Sequence, residues 1–183
     1  MSRHPGSGPY TLWYGVPALA FQIALVILFL VFDGMAEALQ NTSKAMKWVA
    51  TVTIVILSNV ASTYIIGYFK DYVLWPRAGS YPGDTSRSLR DYWRENNHSS
   101  DLSGYLGFVE RFVVIAAGIV SFEAFYITCG GWLTIKSAIE WKQFVKSEHR
   151  VIGHIYLISA VSSLALAAID VAVVRTIWGL GLL

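Results

Sequence analysis

The apolar residues of this chain do not recur at a helical or strand period. They come in long blocks. Four stand out: Leu12–Phe32, Trp48–Phe69, Leu106–Thr128 and Val151–Val174. A helix rises about 1.5 Å per residue, so about 20 apolar residues cross a hydrocarbon core of about 30 Å. The first two blocks carry no charge; the third is interrupted by Glu110, Arg111 and Glu123, and the fourth by His154 and Asp170. Trp13 and Tyr14, Trp48, Tyr68 and Tyr72, Tyr105 and Trp178 sit at block ends, where amphipathic rings meet the headgroup level. The pattern predicts an all-α polytopic membrane bundle of four transmembrane helices, without a sheet. Residues 1–183 form one domain.

The first block admits a signal-peptide reading, because Ala36-Glu37-Ala38 offers small residues around a cleavage point. Its n-region carries one arginine and its apolar run exceeds the usual length, so it is expected to be a true span. Pro17 falls in the first turns of that span, where a proline removes few helical bonds. Gly130-Gly131 is expected to end or bend the third helix. The stretch from Trp132 to Ser147 mixes lysines and aromatics on all sides. It reads as an interfacial helix or as an extension of span three.

The longest loop runs from Lys70 to Gly104 and opens with turn residues Pro76, Gly79, Pro82 and Gly83. Within it, residues 86–95 read as a short helix. Leu89, Tyr92 and Trp93 fall on one face, flanked by Arg87, Arg90 and Arg94. Such a helix lies on the membrane surface with its arginines toward lipid phosphates, or it packs on the bundle as an ordinary loop helix. The sequons at Asn41 and Asn97 fall on opposite faces of a four-span arrangement and read as chance occurrences.

Orientation follows from basic residues in the loops. One side holds seven (Arg3, Lys70, Arg77, Arg87, Arg90, Arg94, Arg175) and the other six (Lys44, Lys47, Lys136, Lys142, Lys146, Arg150). That balance sets no firm orientation. An even number of spans places both termini on one side, here expected to be cytoplasmic.

Composition agrees with the blocks. Of 183 residues, 55% are hydrophobic and 14% charged, against about 25% charged in a soluble domain. A soluble enzyme, a disulfide scaffold and a disordered tail are excluded. Net charge is +2, with no nucleic-acid signature. Cys129 is the one cysteine, so neither an internal disulfide nor a cysteine-built metal site forms. The histidines show no pairing suited to haem, and no cofactor or metal is expected.

Charges inside a span are costly and face a partner, a cavity or another subunit. With spans three and four taken as antiparallel, the helical rise places Arg111 about 9 Å and Asp170 about 10 Å from the span centres, on one side of the midplane. Glu110, Arg111, Asp170 and Arg175 then form one intramembrane cluster, with Arg111–Asp170 as its natural ion pair. Glu123 falls on the other side, near His154 and Lys136, as a second polar cluster. Small polar residues in spans two and four, Asn59, Ser62, Ser159 and Ser163, are placed to bond across helices.

The stretch from Gly104 to Ala165 resembles a segment of uncharacterised bacterial integral membrane proteins. The residues that carry the resemblance are Gly107, Glu110, Arg111, Gly130, Lys136, Ser137, Tyr156, Leu157, Ile158 and Ser163. The chain departs from the pattern at Ser159, where glycine is favoured, and in a longer Glu-Arg to Lys-Ser spacing. The resemblance implies only that Glu110-Arg111 and Lys136-Ser137 belong to one packing unit.

Three function classes follow. The first is a non-enzymatic subunit or scaffold of a membrane assembly, in contact with lipid and with partner subunits or copies of itself. The second is a homo-oligomeric ion or small-solute channel or transporter using the intramembrane charges. The third, an intramembrane enzyme, lacks Ser-His, Cys-His and His-Glu-x-x-His arrangements, so no catalytic residue is assigned.

Overall fold

The computed structural model describes residues 10–31, 33–81, 84–91, 100–144 and 150–180. The described chain is a helical bundle. Helix α1 (Tyr10–Val26) runs on through a π turn (Ile27–Val31), and a short α2 (Asp33–Gln40) follows. Helix α3 (Lys44–Phe69) starts at Ser43, whose side chain accepts from the Met46 amide. It continues through a π turn (Lys70–Leu74) and a 3₁₀ turn (Trp75–Arg77). After the loop come α4 (Ser100–Val120), α5 (Phe122–Phe144) and α6 (Arg150–Ile177). Helix α6 closes with Gly179 at φ 65°: its amide donates to the Thr176 carbonyl and that of Leu180 to the Arg175 carbonyl. This is a left-handed glycine cap that satisfies the last carbonyls.

Two helices are long and apolar enough to cross a membrane, Lys44–Arg77 and Arg150–Ile177; Tyr14–Phe29 is a shorter apolar helix. The third expected span does not run through to residue 128. It breaks at Ser121, while Gly130 and Gly131 lie inside α5. The Ser121 amide still donates to Ala117, closing α4. Its hydroxyl accepts from the Ala124 amide at 3.0 Å, opening α5. Glu110 and Lys136 are 26 residues apart, about 39 Å along a continuous helix. Their side chains meet at 3.0 Å, so the chain doubles back at Ser121.

Helix directions follow from such contacts. Tyr14 meets Tyr64 and Gln22 meets Ser58, so α1 and α3 are antiparallel. Ser58 meets Asp170 and Thr51 meets Trp178, so α3 and α6 are antiparallel. Arg111 meets Ser163 and Gly118 meets Val171, so α4 and α6 are parallel, not antiparallel as expected. Helices α1, α4 and α6 therefore run one way, α3 and α5 the other. Tyr10 and Leu180 fall at opposite ends of the bundle, which removes the even-parity basis for placing both termini together.

The central apolar core joins Val55 of α3, Val114 and Ile115 of α4, Phe125 of α5 and Val171 of α6. At Gly118 the helices touch: a Cβ there would lie 2.4 Å from the Val171 side chain, so only glycine permits this approach.

The loop contains a small antiparallel hairpin, β1 (Ser80–Tyr81) and β2 (Asp84–Ser88), where no sheet was expected. The expected helix over 86–95 thus starts later: Arg87 lies on β2 and helical structure spans 89–91. Ser88 caps it, accepting from the Asp91 amide. Leu89 is buried against Trp75, Ile152 and Ile155, and Arg90 pairs with Asp71 at 2.6 Å. Here the segment packs on the bundle. Tyr92, Trp93 and Arg94 lie outside the described residues.

Candidate functional site

Apart from Thr51, which bonds to Trp178 nearer one end, the buried polar side chains line the interior over the middle turns of the long helices. Gln22 comes from α1, Ser58, Asn59 and Ser62 from α3, Arg111 from α4, and Ser159, Ser163 and Asp170 from α6. Small side chains on α3 and α6 let the backbones approach, so the longer groups of α1 and α4 reach between them.

Arg111 is 3% exposed and bound by neutral partners. Its Nε donates to Asn59 Oδ1 at 2.7 Å, Nη1 to Ser163 Oγ at 3.1 Å, and Nη2 to the Asn59 carbonyl at 3.2 Å and to Thr63 Oγ1. Asn59 in turn donates to the Phe108 carbonyl at 3.1 Å. The guanidinium thus ties α4 to α3 and α6 at once.

Asp170, fully buried, lies on the other side of the same α3 face. Its Oδ1 accepts from Ser58 Oγ and from Gln22 Nε2 at 3.1 Å. Gln22 and Ser58 also bond to one another at 2.7 Å. Asp170 Oδ2 and Ser62 Oγ, both buried, have no hydrogen-bond partner among the described residues.

The expected Arg111–Asp170 ion pair is therefore not made. Because α4 and α6 are parallel, Arg111 stands level with Ser163. Asp170 is seven residues further on, about 10 Å along the axis. Adjacent residues of α3 serve the two charges separately, Ser58 for Asp170 and Asn59 for Arg111. The other members of the expected cluster also go elsewhere. Glu110 pairs with Lys136 of α5. Arg175 donates to the Gly118 carbonyl at 3.2 Å and lies 4.5 Å over the Phe122 ring.

The second expected cluster is not assembled. Glu123, in the first turn of α5, and His154, near the start of α6, are exposed at opposite ends of the bundle, and Lys136 belongs to Glu110. Of the small polar set, Asn59 and Ser163 are joined through Arg111, and Ser159 donates to its own helix at Ile155. Gln22 is the member sequence reasoning missed. The available clue was an amide alone in an uncharged run, where a polar group needs an interior partner.

Among the described residues no group of three or more His, Cys, Asp or Glu side chains could hold a metal ion. Chemically, the layer can fix helix register, and its two unpartnered oxygens can accept or donate further hydrogen bonds. Comparison of the chain with protein-family models, curated proteins and solved structures finds no match.

Proposed function

We propose that the chain is an integral membrane helical bundle that serves as a non-enzymatic subunit or scaffold of a membrane assembly. The observation that carries this reading is the inversion of polarity. The interior holds Arg111, Asp170 and a set of amides and hydroxyls, while large apolar side chains point outward. Val120 is 80% exposed, Ile127 67% and Val49 61%. In water such a surface would be an aggregation liability; in a bilayer it is the lipid face. Five alternating long helices then make five crossings, with the termini on opposite sides. The polar layer holds α1, α3, α4 and α6 in register, as suits a rigid body on which other chains assemble.

A homo-oligomeric channel or carrier is the second reading. Asp170 Oδ2 and Ser62 Oγ favour it, because an interior oxygen without a partner is a place for a proton or an ion to rest. Particle composition after gentle solubilisation separates the two. Co-purifying larger chains support the subunit reading. A pure homo-oligomer whose vesicles pass an ion or proton, and lose that flux on Asp170→Asn, overturns it.

A further inference from the structure

An apolar groove of about 240 Å³ runs down the outside of the bundle between α3 and α4. Its walls are Trp48 and Ile56 on one side and Phe112 and Ile119 on the other; Val55 and Ile115, 5% and 1% exposed, form its floor. From Trp48 to Ile56 is eight residues, about 12 Å of helix. That is close to the depth of one leaflet's hydrocarbon, about 15 Å. The groove starts at one end of the bundle and stops near its middle, as a single acyl chain does.

The α3 side of the open end is basic. Lys44 stands one turn before Trp48, and Lys47 one turn before Thr51, another lining residue. Side chains four apart share a helix face, so both lysines stand above the groove. Lys47 Nζ lies 6.0 Å from the Trp178 ring centroid, and Trp48 packs edge-on to Trp178 at 5.0 Å. Trp178 Nε1 donates to Thr51 Oγ1 at 2.9 Å. Two tryptophans and two lysines at one level mark a headgroup boundary, apolar below and cationic above.

We propose that this groove binds an anionic phospholipid, with one acyl chain between α3 and α4 and the headgroup phosphate over Lys44 and Lys47. The site rests on the membrane reading above. A zwitterionic lipid fills the same groove but carries a headgroup amine that opposes the lysines, so charge complementarity selects the anionic lipid.

The test is thermal unfolding and native mass spectrometry of the full chain in neutral detergent, titrated with phosphatidylglycerol or phosphatidylcholine. Phosphatidylglycerol should raise the melting temperature further and stay bound at higher collision energy. Lys44→Gln with Lys47→Gln should weaken its apparent affinity about thirtyfold, while the lipid-free melting temperature falls only slightly, through the lost Lys47–Trp178 contact. Ala116→Trp, placed at an exposed lining position, should weaken both lipids. Equal effects of the two lipids on the natural chain overturn the proposal, as does an undiminished preference in the double lysine variant. Glycerol phosphate matching the lipid's effect overturns it too, since the acyl groove would then contribute nothing. Partition into vesicles is scored separately. A chain that inserts but shows no lipid preference loses this site alone, whereas one that does not insert loses the membrane reading.

Discussion

Replacing Arg111 with methionine keeps most of the side-chain volume and removes every charged donor from the interior layer. Arg111 makes four hydrogen bonds, to Asn59 Oδ1, the Asn59 carbonyl, Thr63 and Ser163. They are not equally hard to lose. The Asn59 carbonyl keeps the Thr63 hydroxyl as a donor at 3.0 Å, but Asn59 Oδ1 and Ser163 Oγ have no other donor among the described residues. At about 0.6 kcal/mol for each interhelical hydrogen bond in a membrane protein, four bonds amount to about 2.5 kcal/mol. Leaving the buried Asn59 Oδ1 and Ser163 Oγ without their donor adds about 1–3 kcal/mol. We therefore expect Arg111→Met to cost about 3.5–5.5 kcal/mol, read from reversible unfolding in mixed micelles. Asp170→Asn should also destabilise, through the bonds with Gln22 and Ser58. The two charges do not touch but share one stretch of α3, so the double variant should cost about 1–2 kcal/mol less than the sum, within the range for residues of one network. Losses additive to within about 0.5 kcal/mol would mean that the two charges are energetically independent. The single-layer description would then be wrong.

Three further outcomes follow from particular contacts. Gly118→Ala should lower stability by about 1–3 kcal/mol through overpacking against Val171, and Val171→Ala should restore most of that loss in a melting-temperature series. Gln22→Leu removes the amide donor from both Asp170 and Ser58; a loss of about 1–2 kcal/mol is expected, and an unchanged melting temperature would remove α1 from the polar layer. Leu89→Ala opens a cavity beside Trp75, Ile152 and Ile155 and should cost about 2–3 kcal/mol if the hairpin folds with the bundle; protease nicking of the loop at unchanged global stability would show instead that it opens on its own.

Much of the architecture was legible because it rests on block length and caps. The second and fourth blocks lie inside α3 and α6, and the first covers most of α1 and its π turn. The turn at Ser121 was hidden because the apolar run passes straight through it, from Phe112 to Ile127, with only Glu123 to interrupt it. Its local mark is a serine that caps the next helix, and Gly130-Gly131 looked the stronger breaker. Yet glycines are common inside membrane helices, where lost backbone freedom is offset by close packing. That one misplaced turn reversed the relative direction of α4 and α6. With the turn placed later, Arg111 and Asp170 fall level and Glu110 falls far from Lys136. The residue types of the interior layer could be picked out from their cost in an apolar span, but their pairing depends on helix direction, which composition does not encode. Gln22 stands out less in the sequence because a neutral amide costs less to bury than a charge, although left unsatisfied it is also expensive in hydrocarbon.

The number of crossings between α2 and the end of α6 tests the five-helix membrane bundle most directly. With Cys129 replaced by serine, single cysteines at Thr42, Arg150 and Leu180 can be labelled in sealed vesicles with a membrane-impermeant maleimide. All three positions are exposed. Four crossings separate Thr42 from Leu180 and three separate Thr42 from Arg150, so Thr42 and Leu180 should label from one side and Arg150 from the other. Thr42 and Arg150 labelling together, with Leu180 opposite, would restore four spans and contradict the hairpin at Ser121. Labelling of all three from one side in intact vesicles would contradict a membrane-crossing bundle altogether.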